Sequence, residues 1–135
     1  MKRFLSVLLL TVLLSVVVFA ETADVDLDLT RLSGTLLTDR LAGIRADPET
    51  YAGKTLRVCG QYYAMESGES IQHSLIVCDE CHCTEVGITM TGGPEAEILW
   101  PENNTRIEIT ATVEAWINSA GILSARLVVS SILPR

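Results

Sequence analysis

The sequence predicts a mainly β protein, a small five-stranded OB-like β-barrel with one helix in front of it. Three observations carry this. Segments with a two-residue apolar period follow one another from residue 55 to the C-terminus. Turn residues separate them at short intervals. A glycine, Gly60, sits inside the first and longest segment, where a strand must bend if the sheet is to close. Closure removes the unpaired edges that an open five-stranded sheet would leave, and a β-sandwich usually needs more strands.

The first element precedes the barrel. Met1-Lys2-Arg3 is a basic start, residues 4–19 are apolar apart from Ser and Thr, and Val18 and Ala20 place small residues before Glu21. This is the layout of a secretory signal peptide over residues 1–20. The competing assignment is an uncleaved anchor, but a run of about 17 residues is at the short limit for spanning a bilayer. Export to the periplasm or medium is therefore expected, with membrane attachment only if the segment stays uncut. No cysteine follows the apolar run, so no lipoprotein site is present.

Residues 21–135 then form a single domain, long enough for one core. Without Lys2 and Arg3, eight basic residues stand against 17 acidic ones, a charge of −9 compared with −7 for the whole chain. A domain this acidic, with no basic stripe, lacks the clustered cations that nucleic acid requires. Its charge suits a metal ion or a cationic partner, as well as plain solvation.

Residues 21–30 form an acidic lead-in in which Val25, Leu27 and Leu29 alternate with Asp24, Asp26 and Asp28, the pattern of a short edge strand or a linker. The aspartates lack the glycine and distal glutamate of a calcium loop. Leu37, Leu41 and Ile44, with Leu36 beside them, predict a helix. Ser33 or Thr35 would cap it, and Asp47-Pro48 would stop it. Residues 48–54 read as a turn.

In the first barrel strand Leu56, Val58 and Gly60 face one way, and Arg57, Cys59 and Gln61 the other. Residues 66–70 turn the chain. Ile71, His73, Leu75 and Val77 share the inner face of the second strand. A turn centred on Gly68 sets Cys59 opposite Val77, and a shift of one residue puts it beside Cys78. Residues 86–91 form the third strand, and residues 95–105 a loop or short helix. Ile107, Ile109, Ala111, Val113 and Ala115 alternate with Arg106, Glu108, Thr110, Thr112 and Glu114 in the fourth. Residues 118–121 turn into a fifth strand at 123–132.

The chemistry concentrates in Cys78-Asp79-Glu80-Cys81-His82-Cys83, with Cys59 nineteen residues upstream. One reading is a metal site. Zinc takes four ligands at about 2.0–2.3 Å in a tetrahedron. Cys78 and Cys81 have C-x-x-C spacing. Residues 81 and 83 share a side of an extended segment and His82 faces away, which favours Cys59, Cys78, Cys81 and Cys83 as the set. A second reading is structural disulfides, the common state of thiols in small exported domains; four cysteines allow three pairings. A bridge from Cys59 to Cys78, Cys81 or Cys83 would stabilise the hairpin by roughly 2–4 kcal/mol. A third is covalent haem. Cys78-x-x-Cys81-His82 matches C-x-x-C-H, with Met90 or Met65 as the distal ligand, although the motif follows a strand and aromatic residues are sparse.

Elsewhere the chemistry is thin. His73 fits a hydrogen-bonded core histidine. Tyr62, Tyr63, Trp100 and Trp116 suit barrel packing or a groove. Lys54 lacks a phosphate-loop frame. Glu80 and Glu85 flank the cysteines, and Asn103-Asn104-Thr105 is a glycosylation sequon. No Ser/His/Asp constellation is visible, so a non-catalytic module is expected.

The stretch from Leu32-Ser33-Gly34-Thr35 through Pro48-Glu49-Thr50-Tyr51-Ala52-Gly53-Lys54 to Cys59-Gly60, followed by the cysteine run and Val86-Gly87-Ile88, resembles a family of small exported bacterial proteins of uncharacterised role. Those proteins share a P-x-x-Y-x-G-K entry and a short cysteine cluster ahead of a Gly-Ile strand. The chain is also similar to the OB-like domain of predicted permease-partner proteins. The likeness spans roughly residues 30–133 and implies an OB-like fold with metal handling, but no activity. The chain departs from the family in having Cys81-His82-Cys83 where adjacent cysteines are usual, with Cys78 and Cys59 added. The expected function is an exported binding module holding zinc or another soft ion. The alternative is a disulfide-stapled module for a protein or small cationic ligand, and the third reading is a haem electron carrier.

Overall fold

A computed structural model describes residues 25–79, 81, 84–95 and 97–135. The expected signal segment, Glu80, His82 and Cys83 lie outside these. Five strands close into a barrel: β2 (Thr55–Ser67), β3 (Ser70–Cys78), β4 (Glu85–Gly92), β5 (Arg106–Ile117) and β6 (Leu123–Pro134). They run in the ring order β2-β3-β4-β6-β5, and β5 returns to β2. All pairings in the ring are antiparallel except β4 with β6. This is the OB-like topology expected from the alternation.

Closure depends on β2 serving two partners. Thr55 to Gln61 pair with β5, and Gln61 to Ser67 pair with β3. The strand changes neighbour at Gly60. A Cβ there would lie 2.8 Å from the Ile76 carbonyl oxygen and 2.9 Å from the Leu75 side chain, so only glycine permits the crossing.

Alternation does the rest. Leu56, Val58, Leu75, Val77, Ile88, Met90, Ile107, Ile109, Val113, Leu127 and Val129 fill the interior. The strand directions put the β3–β4 and β5–β6 turns at one end and the β2–β3 turn and the 93–105 segment at the other. The first end is closed by α1 (Gly34–Ala46), which lays Leu37, Leu41 and Ile44 against the core. Ser33 occupies the N-cap position without a side-chain hydrogen bond, and Asp47 ends the helix.

Two expectations need correction, at residues 48–54 and at Glu108, and one alternative is decided, in the acidic lead-in. The predicted turn at residues 48–54 begins as a one-turn helix, α2 (Pro48–Tyr51), because the Asp47 carboxylate accepts from the Thr50 N–H and hydroxyl and proline is well placed at a helix start. The acidic lead-in does contain a strand, β1 (Leu27–Asp28), but it pairs parallel with β2. Its aspartates serve the backbone: Asp26 accepts from the Thr55 N–H and Asp28 from the Thr30 N–H and hydroxyl. Glu108, expected outward, is nine-tenths buried between Arg57 and Arg135, so an ion cluster covers it.

Candidate functional site

The two strands that part below Gly60 leave a wedge between them. Residues 30–37, leading into α1, roof it and leave a cavity of about 200 Å³. Cys59 from β2 and Cys78 from β3 line it, with Gln61, Arg106, Ser33 and Thr30 around them. The observed register explains the meeting. Ser67 pairs with Ser70 and Gln61 with Ile76. The ladder stops there; Cys59 pairs with Glu108 of β5 and Cys78 with Glu85 of β4, so both cysteines border the gap that opens between β2 and β3. The β2–β3 turn is centred between Gly68 and Glu69, half a residue past the expected centre, and the expected pairing of Cys59 with Val77 gives way to Cys59 with Glu108.

The electrostatics of the two thiols agree. Burial pushes the Cys59 thiol up, and the Glu108 carboxylate adds to this while Arg135 and Arg106 offset part of it. Burial also pushes Cys78 up, reinforced by Glu85, whose Oε1 lies 3.8 Å from the Cys78 sulfur. Both are thus neutral thiols near pH 7, poor nucleophiles for redox catalysis. Carboxylates that discourage a lone thiolate favour a cation beside it, and a cation would in turn drive off the thiol protons.

Cys81 follows in the β3–β4 connection, exposed, with its sulfur 3.5 Å from Asp79 Oδ1. The loop is closed at its base by the Asp79 N–H, which donates to the Thr84 carbonyl. Cys83 and His82 lie outside the described residues. Among the described residues, no three Cys, His, Asp or Glu side chains form a group able to hold a metal ion. The structure thus brings Cys59 and Cys78 together and places Cys81 on the adjoining loop.

His73 belongs elsewhere. It lies five residues before Cys78 on β3, about 16 Å away along a strand. Its Nδ1 is 2.6 Å from the Tyr62 hydroxyl, and its ring stacks on Trp100 at 3.9 Å between centroids. Burial lowers its pKa and so favours the neutral ring, whose Nδ1 shares one hydrogen with the Tyr62 hydroxyl. This is the hydrogen-bonded histidine that the strand pattern suggests. Its partner Trp100 was invisible to periodicity because it arrives on an irregular segment. Of the distal haem candidates, Met90 is buried in the core opposite His73, and Met65 is exposed near the β2–β3 turn, at the far end from the cysteine loop.

Sequence reasoning also missed two clusters. One is Glu108 with Arg57 and Arg135. The other surrounds Trp116: the Arg126 guanidinium lies 4.8 Å from the centre of its ring and pairs with Glu114. Outward positions of a strand look alike in sequence, and only cross-strand neighbours distinguish them.

The chain matches no family model and no curated protein. The five-stranded barrel is the part of the expected family likeness that the structure carries.

Proposed function

We propose that this chain is an exported, non-catalytic binding module that holds a soft metal ion, zinc or a close relative, with Cys59 and Cys78 as the barrel-borne half of the site. Cys81 and Cys83, from the connection that follows Cys78, supply the other half. The observation that supports this reading is the shared cavity: two neutral thiols from different strands line one recess, with carboxylates beside each of them. Two ligands on a closed barrel and two on a loop would give a site whose loop half can open for exchange.

A second reading rests on the same cavity. Cys59 and Cys78 line it from neighbouring strands, and a disulfide between them would staple the barrel, leaving the module to bind a protein or small cationic ligand.

One experiment separates them. The protein is purified without reductant, its thiols are alkylated before and after denaturation, and its metal content is measured. Bound zinc, with thiols that become reactive only after chelation or unfolding, supports the metal site. Replacement by cobalt should then give thiolate-to-cobalt charge-transfer absorption that Cys59→Ser and Cys78→Ser each weaken. A Cys59–Cys78 disulfide with no bound metal overturns the first reading and supports the second.

A further inference from the structure

We infer that the tip of the β5–β6 hairpin, residues 117–123, rests in the surface of a zwitterionic lipid bilayer. Neither the thiols nor a bound metal enters the argument.

The tip is apolar where a hairpin tip is ordinarily polar. Ile117 is 60% exposed, Ile122 61% and Leu123 42%. Ile117 pairs with Leu123 across the hairpin, so these two side chains share a face. It is the inner face of the barrel, continued past the end of the core, since Val113 pairs with Leu127 and Ala115 with Ala125 at the same phase. Residues 115–125 carry no charged side chain, the longest such run among the described residues, in a chain that is 20% charged. Glu114 and Arg126 bracket the run and neutralise each other. An exposed apolar cluster of this kind marks a contact surface.

The backbone of the tip is prepared to leave water. The Asn118 N–H donates to the Ile122 carbonyl, and the Gly121 N–H to the Asn118 carbonyl. The Asn118 side-chain oxygen accepts from the Ala120 and Ile122 N–H groups. A protein partner could supply missing hydrogen bonds, whereas hydrocarbon cannot and penalises every unpaired backbone group.

The route of the chain points to lipid as the occupant. β1 pairs with the start of β2, so the chain enters the barrel at the end where the hairpin projects. Thr112 lies opposite Thr55, and β5 continues five residues beyond it, about 17 Å. Residues 20–24 join the apolar run at 4–19 to the described chain, and five residues can reach about the same 17 Å. Left uncut in a bilayer, that run would bring the membrane surface level with the tip. Trp116 and Arg126, just behind the tip and in contact with each other, suit the headgroup layer. Anionic headgroups would repel a domain this acidic, which specifies zwitterionic lipid.

The test places the full chain in phosphatidylcholine nanodiscs that carry a nitroxide on the acyl chain, and reads the broadening of amide resonances residue by residue. Ile117, Ile122 and Leu123 should broaden, while Leu99, an exposed leucine at the other end of the barrel, should not. Ile122→Asp keeps the N-terminal run and should lower the fraction of molecules with the tip in lipid at least about tenfold, since a carboxylate enters hydrocarbon far less readily than isoleucine. Leu99→Asp should behave as the wild type. No broadening at the tip, equal broadening at Leu99, or broadening that Ile122→Asp leaves intact overturns the proposal. Tip resonances that respond to protein concentration and not to lipid assign the patch to a second copy and also overturn it. Stronger broadening with added phosphatidylglycerol overturns the assignment to zwitterionic lipid.

Discussion

At the scale of single residues, Gly60 and His73 make the sharpest predictions. A methyl group at position 60 would press on the Ile76 carbonyl and the Leu75 side chain, neither of which can retreat from a closed barrel. Gly60→Ala should destabilise the protein by about 1–3 kcal/mol, read from the urea midpoint. An unchanged midpoint would mean that β2 does not cross β3 so closely. For His73, burial lowers the folded-state pKa below that of the unfolded chain. Its contribution to stability is thus fully present above the unfolded value of about 6.5 and is lost as pH falls from there toward the folded value, because the unfolded state takes the proton first. Urea midpoints across that range should fall with pH in the wild type and stay flatter in His73→Gln. At this scale the sequence was partly legible. Alternation identified the inward face of His73, but the pairing of Cys59 expected with β3 belongs to Glu108 of β5. Strand period does not say where a strand leaves one neighbour for another, and β2 does so at Gly60.

At the scale of elements, α1 and the Glu108 cluster matter most. The helix carries glycines at both Gly34 and Gly43 and is only 13 residues long, marginal in isolation. Its stability comes from plugging the barrel with Leu41 and Ile44, both fully buried. Leu41→Ala should cost about 2–5 kcal/mol, and helix and sheet signals should be lost together in one urea transition. Glu108 joins three strands: it sits on β5, meets Arg57 on β2 and takes hydrogen bonds from Arg135, just past β6. Glu108→Ala should remove about 1–3 kcal/mol, again by urea unfolding. The elements themselves were readable, since five alternating runs and one helical run stand where predicted. The α2 turn and the irregularity between Thr110 and Ala111 on β5 were not. Both come from side-chain capping and cross-strand fit, which a periodicity cannot encode.

At the scale of the whole molecule, the proposed metal links folding to occupancy. An ion that binds only the folded barrel must raise its stability. Zinc should therefore raise the unfolding midpoint of the wild type and leave that of a Cys59→Ser/Cys78→Ser double variant in place. Equal shifts in both would locate any bound zinc elsewhere. The ring order was less legible than its parts. The β2–β5 and β4–β6 pairings join segments far apart in the chain, and an alternating pattern tells which face is buried but not which strand lies alongside.

The two-partner role of β2 also has a consequence during synthesis. Strands β2, β3 and β4 are all made before β5 and β6 exist. Until the last hairpin is added, residues 55–61 present a row of unsatisfied backbone groups with no proline among them. Such a border is a template for a second nascent chain. A chain cut short after Gly92 should accordingly clump rather than fold, and the hairpin made last acts as the clasp that ends this vulnerable interval.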